Sequence, residues 1–393
     1  MNLKELFQKI GKKKIIIAIV VIVFVGGMIG IWAWISTGND YNYGEIVIAK
    51  DKDFEKRYDF PGTGTLSDPY RIENRIINTD LDFGILITST TKYFIIQNCT
   101  ITGSAGGIYI HSIARDTCII RNNTINVLPE GFGIQVELGP HSIVENNIIT
   151  AENTSSLIGI YVFSSEDSYI AENSIANIEH GIEVFGYSDD TNVVANNCSN
   201  CDYGIFIDSR NWFDSEGAHT VELSRIEVKD NYCYNNSKGI YFLSDVNDSD
   251  ITSNNCSFNT QSGIEVSGSN ALDIINNHLQ NNTQGLVLVE AESILISNNL
   301  FELNTLYAIN LTDSSSISIF SNNLIENNYE DVISGATQAF DNNPTSNPEN
   351  QNYWYDLSES EGNYWSDLSW TPSATYEIDG GDNSDLYPLE FQI

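Results

Sequence analysis

Residues 133–150 read GIQVELGPHSIVENNIIT, and residues 159–176 read GIYVFSSEDSYIAENSIA. Both stretches open with Gly-Ile, continue with alternating apolar residues and reach an asparagine near their end. The Gly-Ile pair and the asparagine, here called the glycine mark and the asparagine mark, each recur about every 24 residues through the middle of the chain. A repeat of that length, with short strand-like runs between its marks, is typical of a parallel β-helix in which each coil contacts only its neighbours.

The two marks divide the chain into repeats of nearly constant length. The intervals between asparagine marks run from 22 to 26 residues, except for one of 34 between Asn197 and Asn231. The first mark falls at Gly84, Gly107, Gly133, Gly159, Gly181, Gly204, Gly239, Gly263, Gly285 and Ala308. The second mark, the third letter of phrases such as ENNII, falls at Cys99, Asn123, Asn147, Asn173, Asn197, Asn231, Asn255, Asn277, Asn299 and Asn323.

Apolar residues alternate with other residues after each glycine mark, which predicts short strands with one buried face. A second aliphatic column is expected three residues before each asparagine mark. The asparagines themselves are expected to stack at a bend and to hydrogen-bond from rung to rung. The second aliphatic column reads Ile96, Ile120, Val144, Ile170, Val194, Val228, Thr252, Ile274, Ile296 and Phe320.

The repeat and its flanks predict an all-β chain with about 10–12 coils and an N-terminal transmembrane helix. Capping segments are expected because the open ends of such a stack would otherwise pair with other chains. The predicted division is a basic cytoplasmic segment (1–14), a transmembrane anchor (15–35), a stalk with an N-terminal cap (36–64), the parallel β-helix (65–340) and a C-terminal capping segment (341–393).

The predicted anchor, residues 15–35, reads IIIAIVVIVFVGGMIGIWAWI and carries no charge. Its 21 residues are enough to cross about 30 Å of hydrocarbon as a helix. Lys12, Lys13 and Lys14 precede it, so the positive-inside rule places the N-terminus in the cytoplasm and the bulk of the chain outside the cell. A cleaved signal peptide is the alternative, although the apolar run is long and no A-x-A site follows it.

The chain is strongly acidic, with a formal charge of −35. Residues 1–35 contain five lysines against one glutamate, so the remainder holds 13 basic and 52 acidic residues. A surface of that sign repels nucleic acid and anionic lipid. Nucleic acid is therefore not an expected partner.

Six cysteines would face an oxidising compartment if the chain is exported. Cys198, Cys233 and Cys256 fall near one corner on consecutive coils, so a Cys198–Cys233 or Cys233–Cys256 disulfide is one expectation and buried thiols that fill the corner are the other. The sequons that are better candidates to carry a glycan lie in expected turns, at Asn153, Asn235 and Asn247.

The outward column of the Gly-Ile strands interleaves aromatic rings with acids and amides. Rings can cover the apolar faces of sugars while carboxylates and amides take hydroxyls, although such rings also simply stabilise outward strand positions. An insertion, residues 209–220, adds further candidates because long loops on a regular scaffold often carry function. The candidate ligand-binding residues are Tyr109, Gln135, Tyr161, Glu183, Phe206, Asp208, Arg210, Trp212, Tyr241 and Glu265.

Glu183 and Asp208 are the candidate catalytic residues. They are expected on adjacent rungs at about 8 Å, inside the range of an inverting glycosidase. A lyase reaction is the alternative chemistry, with Arg210 as its base. No metal site is predicted, although Asp379, Asp382 and Asp385 leave calcium as a weak alternative to a simple turn.

The repeats, the opening GTGTLSDPYRIE (62–73), and the closing GNYWSD (362–367) and YEIDGGDNSDLYPL (376–389) resemble the NosD-like β-helix proteins. This resemblance implies a right-handed, pectin-lyase-like helix in an exported protein, within a superfamily that binds and hydrolyses carbohydrate. The family name also implies copper handling. The chain has only Met1 and Met28, and its histidines show no regular ligand spacing, so copper is not expected.

The leading hypothesis is a membrane-anchored extracellular protein that binds glycans or other cell-surface polymers, or serves as a structural or adhesion module, without turnover. The second is a polysaccharide hydrolase or lyase that uses Glu183 and Asp208. Metal delivery is the third.

Overall fold

The computed structural model describes residues 44–80, 82–103, 106–151, 157–210, 212–214, 217–219, 222–328, 337–343, 351–380 and 383–393, with the backbone alone for 212–214 and 217–219. The predicted membrane segment, residues 15–35, lies outside these ranges. Within them, no helix combines the length and the apolar character that a bilayer crossing requires.

Each coil contributes one strand to each of three parallel sheets, here sheets 1, 2 and 3 in the order in which the chain meets them. Sheet 1 contains Gly44–Ile48, Phe83–Thr88, Gly106–His111, Phe132–Glu137, Ile158–Phe163, His180–Phe185, Tyr203–Asp208, Lys238–Leu243, Ser262–Ser267, Gln284–Val289, Ile309–Thr312 and Ala339–Asp341. Sheet 2 contains Tyr70–Glu73, Phe94–Gln97, Cys118–Arg121, Ile143–Glu145, Tyr169–Ala171, Asn192–Val194, Glu227–Lys229, Val246–Thr252, Asn270–Ile275, Leu295–Ser297 and Ser318–Phe320, with Leu223–Ser224 beside Val246–Thr252. Sheet 3 contains Ile76–Asn78, Thr100–Thr102, Thr124–Val127, Ile148–Ala151, Ser174–Ala176, Asn197–Ser199, Tyr232–Tyr234, Asn255–Ser257, His278–Gln280, Leu300–Glu302, Asn323–Ile325 and Tyr364–Trp365. These sheets confirm the predicted all-β parallel solenoid.

Smaller elements decorate the stack. One helical turn, Asp53–Lys56, follows the first strand. Two antiparallel hairpins pair Trp212–Asp214 with Gly217–His219, and Tyr376–Glu377 with Ser384–Asp385. The first strand of sheet 1 lies inside the segment predicted as stalk and cap, while the last strand of sheet 3 lies inside the predicted C-terminal cap. The division into domains otherwise stays a prediction.

The core is a set of aliphatic ladders that run the length of the stack. Ile108 pairs with Ile134, and Ile134 pairs with Ile160, and all three are fully buried. Like side chains stack because parallel strands in register place equivalent positions about 4.8 Å apart. Burial of one such Ile contributes about 1.5–3 kcal/mol relative to exposure.

The repeated glycine is required by close approach between rungs. A Cβ built on Gly159 would lie 2.5 Å from the carbonyl oxygen of Gly181 and 2.6 Å from Cγ2 of Ile175. Neither distance leaves room for a methyl group. The glycine mark is therefore a packing requirement at the bend that enters sheet 1.

The asparagine ladder exists, but its register differs from the prediction at three coils. Asn196, Asn254 and Asn322 occupy the ladder in place of Asn197, Asn255 and Asn323. The backbone turns at the residue before each ladder asparagine, which has a positive φ. That residue is Asn at four of the nine coils from Asn123 to Asn322, but at the three shifted coils it is Ala195, Ser253 or Ser321, so the first asparagine of the pair enters the ladder.

The same one-residue shift moves the aliphatic column. Val193, Ile251 and Ile319 fill it, where Val194, Thr252 and Phe320 were predicted. Each substitute is fully buried. The column is thus aliphatic at every described coil.

A second asparagine ladder, which was not predicted, follows the corner between sheets 3 and 1. Asn236 receives the backbone N–H of Cys201, and each later member receives the N–H of the member before it. Its members are Asn236, Asn259, Asn282, Asn304 and Asn327, and it ends on Gln338. Both ladders supply hydrogen bonds to backbone groups at bends, where strand pairing cannot reach them.

Aromatic residues close the two ends. Phe54 stacks on Tyr70 with ring centroids 4.6 Å apart at the N-terminal end. At the other end Tyr376 stacks on Trp365 at 3.8 Å, and Trp354 packs beside it. The acid Asp385 is buried there and accepts the Trp365 Nε1–H at 2.9 Å. Asp385 therefore does not face an open cation site, and Asp382 lies outside the described residues.

Candidate functional site

The outer face of sheet 1 carries three columns of side chains, and strand register fixes them. The middle column contains the predicted positions in the predicted order, so that Tyr161 lies beside Glu183, Glu183 beside Phe206 and Phe206 beside Tyr241. The third column places Phe185 beside Asp208. The first column, immediately before each glycine mark, reads Phe83, Gly106, Phe132, Ile158, His180, Tyr203, Lys238, Ser262 and Gln284.

The first half of this face is buried although it points outward. Tyr109, Gln135 and Tyr161 are 6%, 3% and 5% exposed. Tyr109 donates to Oε2 of Glu137 at 2.6 Å, His111 Nδ1 lies 3.2 Å from the same oxygen, and Gln135 also donates to Glu137. Burial raises the pKa of both tyrosine hydroxyls. The rings in this half are covered, so they do not present an open surface.

The second half exposes an aromatic and cationic cluster. Tyr203 and Tyr241 are partly exposed, and their rings lie 5.4 Å apart. Phe206 is buried and stacks on Tyr241 at 5.3 Å. The ammonium of Lys238 lies 3.7 Å from the Tyr241 ring centroid and 5.7 Å from that of Tyr203. Burial raises the pKa of both tyrosines, so their hydroxyls stay neutral donors and acceptors at neutral pH.

Three carboxylates in this region each pair with a cation. Glu265 binds Lys238 at 2.6 Å and also accepts the Ser262 hydroxyl at 3.1 Å. Glu183 binds Nδ1 of His180 at 2.6 Å. Burial by itself lowers the pKa of His180, but the charge and hydrogen bond of Glu183, together with nearby acidic charges, outweigh it and leave that pKa raised. Glu179 and Asp202 add negative charge beside His180 and Tyr203, so the acids around the cluster are at least as many as its cations.

Glu183 and Asp208 lie on adjacent rungs, two positions apart along the strand. Asp208 is 2% exposed, and its two oxygens accept from Nε, Nη2 and the backbone N–H of Arg210. An inverting glycosidase needs one carboxyl that reaches the leaving group and one that reaches a water. A buried, fully hydrogen-bonded Asp208 offers neither.

Arg210 does not match the properties of a lyase base. Its hydrogen bonds and ion pair with Asp208 raise the pKa of the guanidinium, whereas a base must give up its proton. The backbone of Trp212 lies in the hairpin that follows, and its side chain is outside the described atoms.

Three members of the cluster were not among the site residues predicted from the sequence: His180, Tyr203 and Lys238. All three stand directly before a glycine mark. The residue before each Gly-Ile points outward on the same face, and an alignment on that position would have found them.

A copper centre does not fit the described donors. Among the residues that the structure covers, no three His, Cys, Asp or Glu side chains converge on a point that could hold a metal ion. Histidines on separate rungs pair with separate carboxylates, as His141 does with Asp116 and His278 with Glu302 at 3.5 Å. Copper would need several imidazole or sulfur ligands together.

The six cysteines are free and buried. Cys198, Cys233 and Cys256 stack in register on sheet 3, as the corner alignment predicted. Of the two expectations, the structure shows thiols that fill the corner.

Comparison with known proteins agrees with this architecture. A double mutant of the periplasmic alginate epimerase AlgG is 16% identical over 80% of this chain and 70% of its own, with a TM-score of 0.52. The A-module of the mannuronan C-5 epimerase AlgE6 from Azotobacter vinelandii is 13% identical over 65% of this chain and 84% of its own, with a TM-score of 0.49. The hyperthermoactive exopolygalacturonase from Thermotoga maritima is 11% identical over 71% and 77%, with a TM-score of 0.46.

At these identities the likeness concerns the fold, which is the right-handed parallel β-helix of pectin-lyase-like proteins. None of the curated proteins matches the chain. The family model described as periplasmic copper-binding protein (NosD) matches residues 37–197 and 146–369. Because those matches span most of the sequence, the chain belongs to the NosD family of right-handed parallel β-helix proteins.

Proposed function

We propose that this protein binds polysaccharide on the outer face of sheet 1, at the cluster around Tyr203, Lys238 and Tyr241, and does not cleave it. The observation that carries the proposal is the partly exposed pair of rings beside a lysine whose charge is held by Glu265. Rings of this kind offer a large apolar area at little cost in conformational entropy, and the hydroxyls and charged groups around them can take sugar hydroxyls.

Binding without turnover is favoured over hydrolysis by the state of the two candidate catalytic acids. Asp208 is buried in its pair with Arg210, and Glu183 is held by His180. The alginate epimerase has this fold and is named for a polysaccharide, which supports a polysaccharide partner for this chain. The identity is too low to transfer a reaction.

We further propose that the protein acts outside the cell and is held at the membrane by residues 15–35. The uncharged 21-residue run behind three lysines supports this placement. Protease added to intact cells should remove the β-helix and leave a small membrane fragment. Recovery of the intact chain in the soluble cytoplasmic fraction would contradict the proposal.

Binding is tested with the full chain in detergent against a panel of polysaccharides, with calorimetry for affinity and product analysis for turnover. We expect saturable binding with no new reducing ends and no unsaturated sugars. Products that disappear in Glu183→Gln would replace the binding proposal with the hydrolase or lyase hypothesis. Failure to bind any polysaccharide would refute the proposal outright.

A further inference from the structure

Arg210 is held to Asp208 by one edge of its guanidinium group. Nε lies 3.0 Å from both carboxylate oxygens, and Nη2 lies 2.6 Å from Oδ2. A guanidinium has five N–H donors in a planar fork. The Nε–H and one N–H of Nη2 donate to Asp208. The opposite edge consists of Nη1 and the second N–H of Nη2, and no described residue accepts a hydrogen bond from it.

The two partners differ sharply in exposure. The side chain of Arg210 is 55% exposed, whereas that of Asp208 is 3% exposed. The buried carboxylate fixes the guanidinium, while more than half of the Arg210 side chain is exposed. A cation that is already positioned loses little conformational entropy when it binds an anion.

Arg210 lies beside the aromatic cluster. Its guanidinium carbon is 6.0 Å from the ring centroid of Phe206, which stacks on Tyr241. Lys238 lies over that second ring. Two cations therefore adjoin one stack of rings on neighbouring rungs.

Positive charge is scarce on this face. Lys238 is the only lysine or arginine within the described strands of sheet 1. Arg210 follows the end of the strand Tyr203–Asp208 and adds the second cation. On a protein of formal charge −35, an anionic ligand would be repelled nearly everywhere else.

We infer that the polysaccharide bound at this cluster is anionic, and that the free edge of Arg210 binds its carboxylate or sulfate groups while the sugar rings lie on Tyr203 and Tyr241. Arg210 is then the residue that selects acidic over neutral polymers. Planar, bidentate contact with a carboxylate or sulfate is the geometry that this edge offers. The inference rests on the proposed function and adds the class of ligand.

The test compares acidic and neutral polymers on the full chain. The probes are alginate and polygalacturonate for carboxylates, carrageenan for sulfates, and dextran and laminarin as neutral glucans. The informative variant is the double substitution Asp208→Asn with Arg210→Gln, because removal of Arg210 alone would leave a buried carboxylate unpaired. The thermal midpoint of each variant is measured alongside its affinity.

The chain provides a matched control. Arg225 has the same 55% exposure and binds Asp190 through Nε and Nη2, at 2.6 and 2.8 Å, away from the ring cluster. The control variant is therefore Asp190→Asn with Arg225→Gln. It removes the same pair of charges from another part of the surface, at an ion pair whose carboxylate is 40% exposed.

We expect acidic polymers to bind at least about tenfold more tightly than neutral ones, and the Asp208–Arg210 double variant to lose about ten- to hundredfold for acidic polymers alone. The control should keep its affinity. A preference for carrageenan over the uronates, or the reverse, identifies the anion. Equal binding of neutral polymers, or equal losses in the two double variants, would overturn the inference and leave the proposed function standing. No binding to any probe would remove both.

Discussion

The ammonium group of Lys238 lies 3.7 Å from the centre of the Tyr241 ring while it binds Glu265 at 2.6 Å. The lysine is thus fixed from two directions, by a cation–π contact and by an ion pair on the next rung. Such a contact is worth about 0.5–1 kcal/mol at an exposed site and more where water is excluded. The ring, the cation and the acid form a rigid unit on the partly exposed half of the face.

Replacement of Tyr241 by Leu should weaken polysaccharide binding by about tenfold, because both the ring surface and the contact that orients Lys238 are lost. Calorimetric titration of the full chain measures the effect. Tyr232→Leu is the control, since Tyr232 is 42% exposed on sheet 3 and its ring lies 5.1 Å from that of Tyr234. Equal losses in both variants would show that the ligand does not use this cluster.

Two adjacent asparagines should differ strongly in their effect on stability. Asn196 is buried in the ladder and bonds to Asn173, Ile170 and Asn231, so Asn196→Ala should lower the free energy of unfolding by about 2–4 kcal/mol. Asn197 points outward and is exposed, so Asn197→Ala should change it by less than about 0.5 kcal/mol. Denaturant unfolding measures both. A larger loss of stability in Asn197→Ala than in Asn196→Ala would support the register predicted from the sequence.

The C-terminal cap should be more stable in acid than at neutral pH. Burial, opposed in part by hydrogen bonds from Trp365, Asn363 and Tyr387, raises the pKa of Asp385 from 3.8 to about 6. A raised carboxyl pKa means that the folded state holds the proton more tightly. The stabilisation is therefore complete below pH 3.8 and is lost as the pH rises through about 6.

This shift of roughly two units corresponds to about 3 kcal/mol at most. Unfolding followed by tryptophan fluorescence between pH 4 and 8 measures it, since Trp365 lies against the carboxylate. Asp385→Asn should remove the step while the pH dependence from other groups stays. A variant with the same pH profile as the wild-type chain would show that Asp385 does not titrate in this range.

The thiols should be inert in the folded protein. All six are buried, and burial raises the pKa of Cys118 to about 12. Native protein treated with iodoacetamide at pH 8 should gain no label, and unfolded protein should gain six. Mass spectrometry counts the labels. A count of four after unfolding without reductant would show one disulfide, and peptide mapping would tell whether it joins Cys198 to Cys233.

Much of the fold could be predicted because its signals are local. Period-two alternation of Ile and Val decides which residues face the core, and the interval of about 24 residues decides which positions stack. The order of the outward column, from Tyr109 to Glu265, followed from these two periods. The register error at Asn197 had a local cause as well, because Ala195 adopts the positive φ at this bend and Asn196, the first asparagine of the pair, enters the ladder.

The candidate site could be predicted only in outline. Tyr161 and Tyr241 occupy equivalent positions in the repeat, yet one is buried and the other is partly exposed. No pattern within a repeat distinguishes them, since exposure on an outer face depends on which other segments pass over it. The pairing of Asp208 with Arg210 likewise depends on how the chain leaves its strand.

The sequence by itself determined the winding of the chain, the inward ladders and the acidic surface, because each depends on composition or on a short, repeated pattern. The tertiary structure decided which outward rings can meet a ligand and which acids are already neutralised by a cation. Those properties arise from contacts between coils and from burial, which are set only when the rungs are stacked.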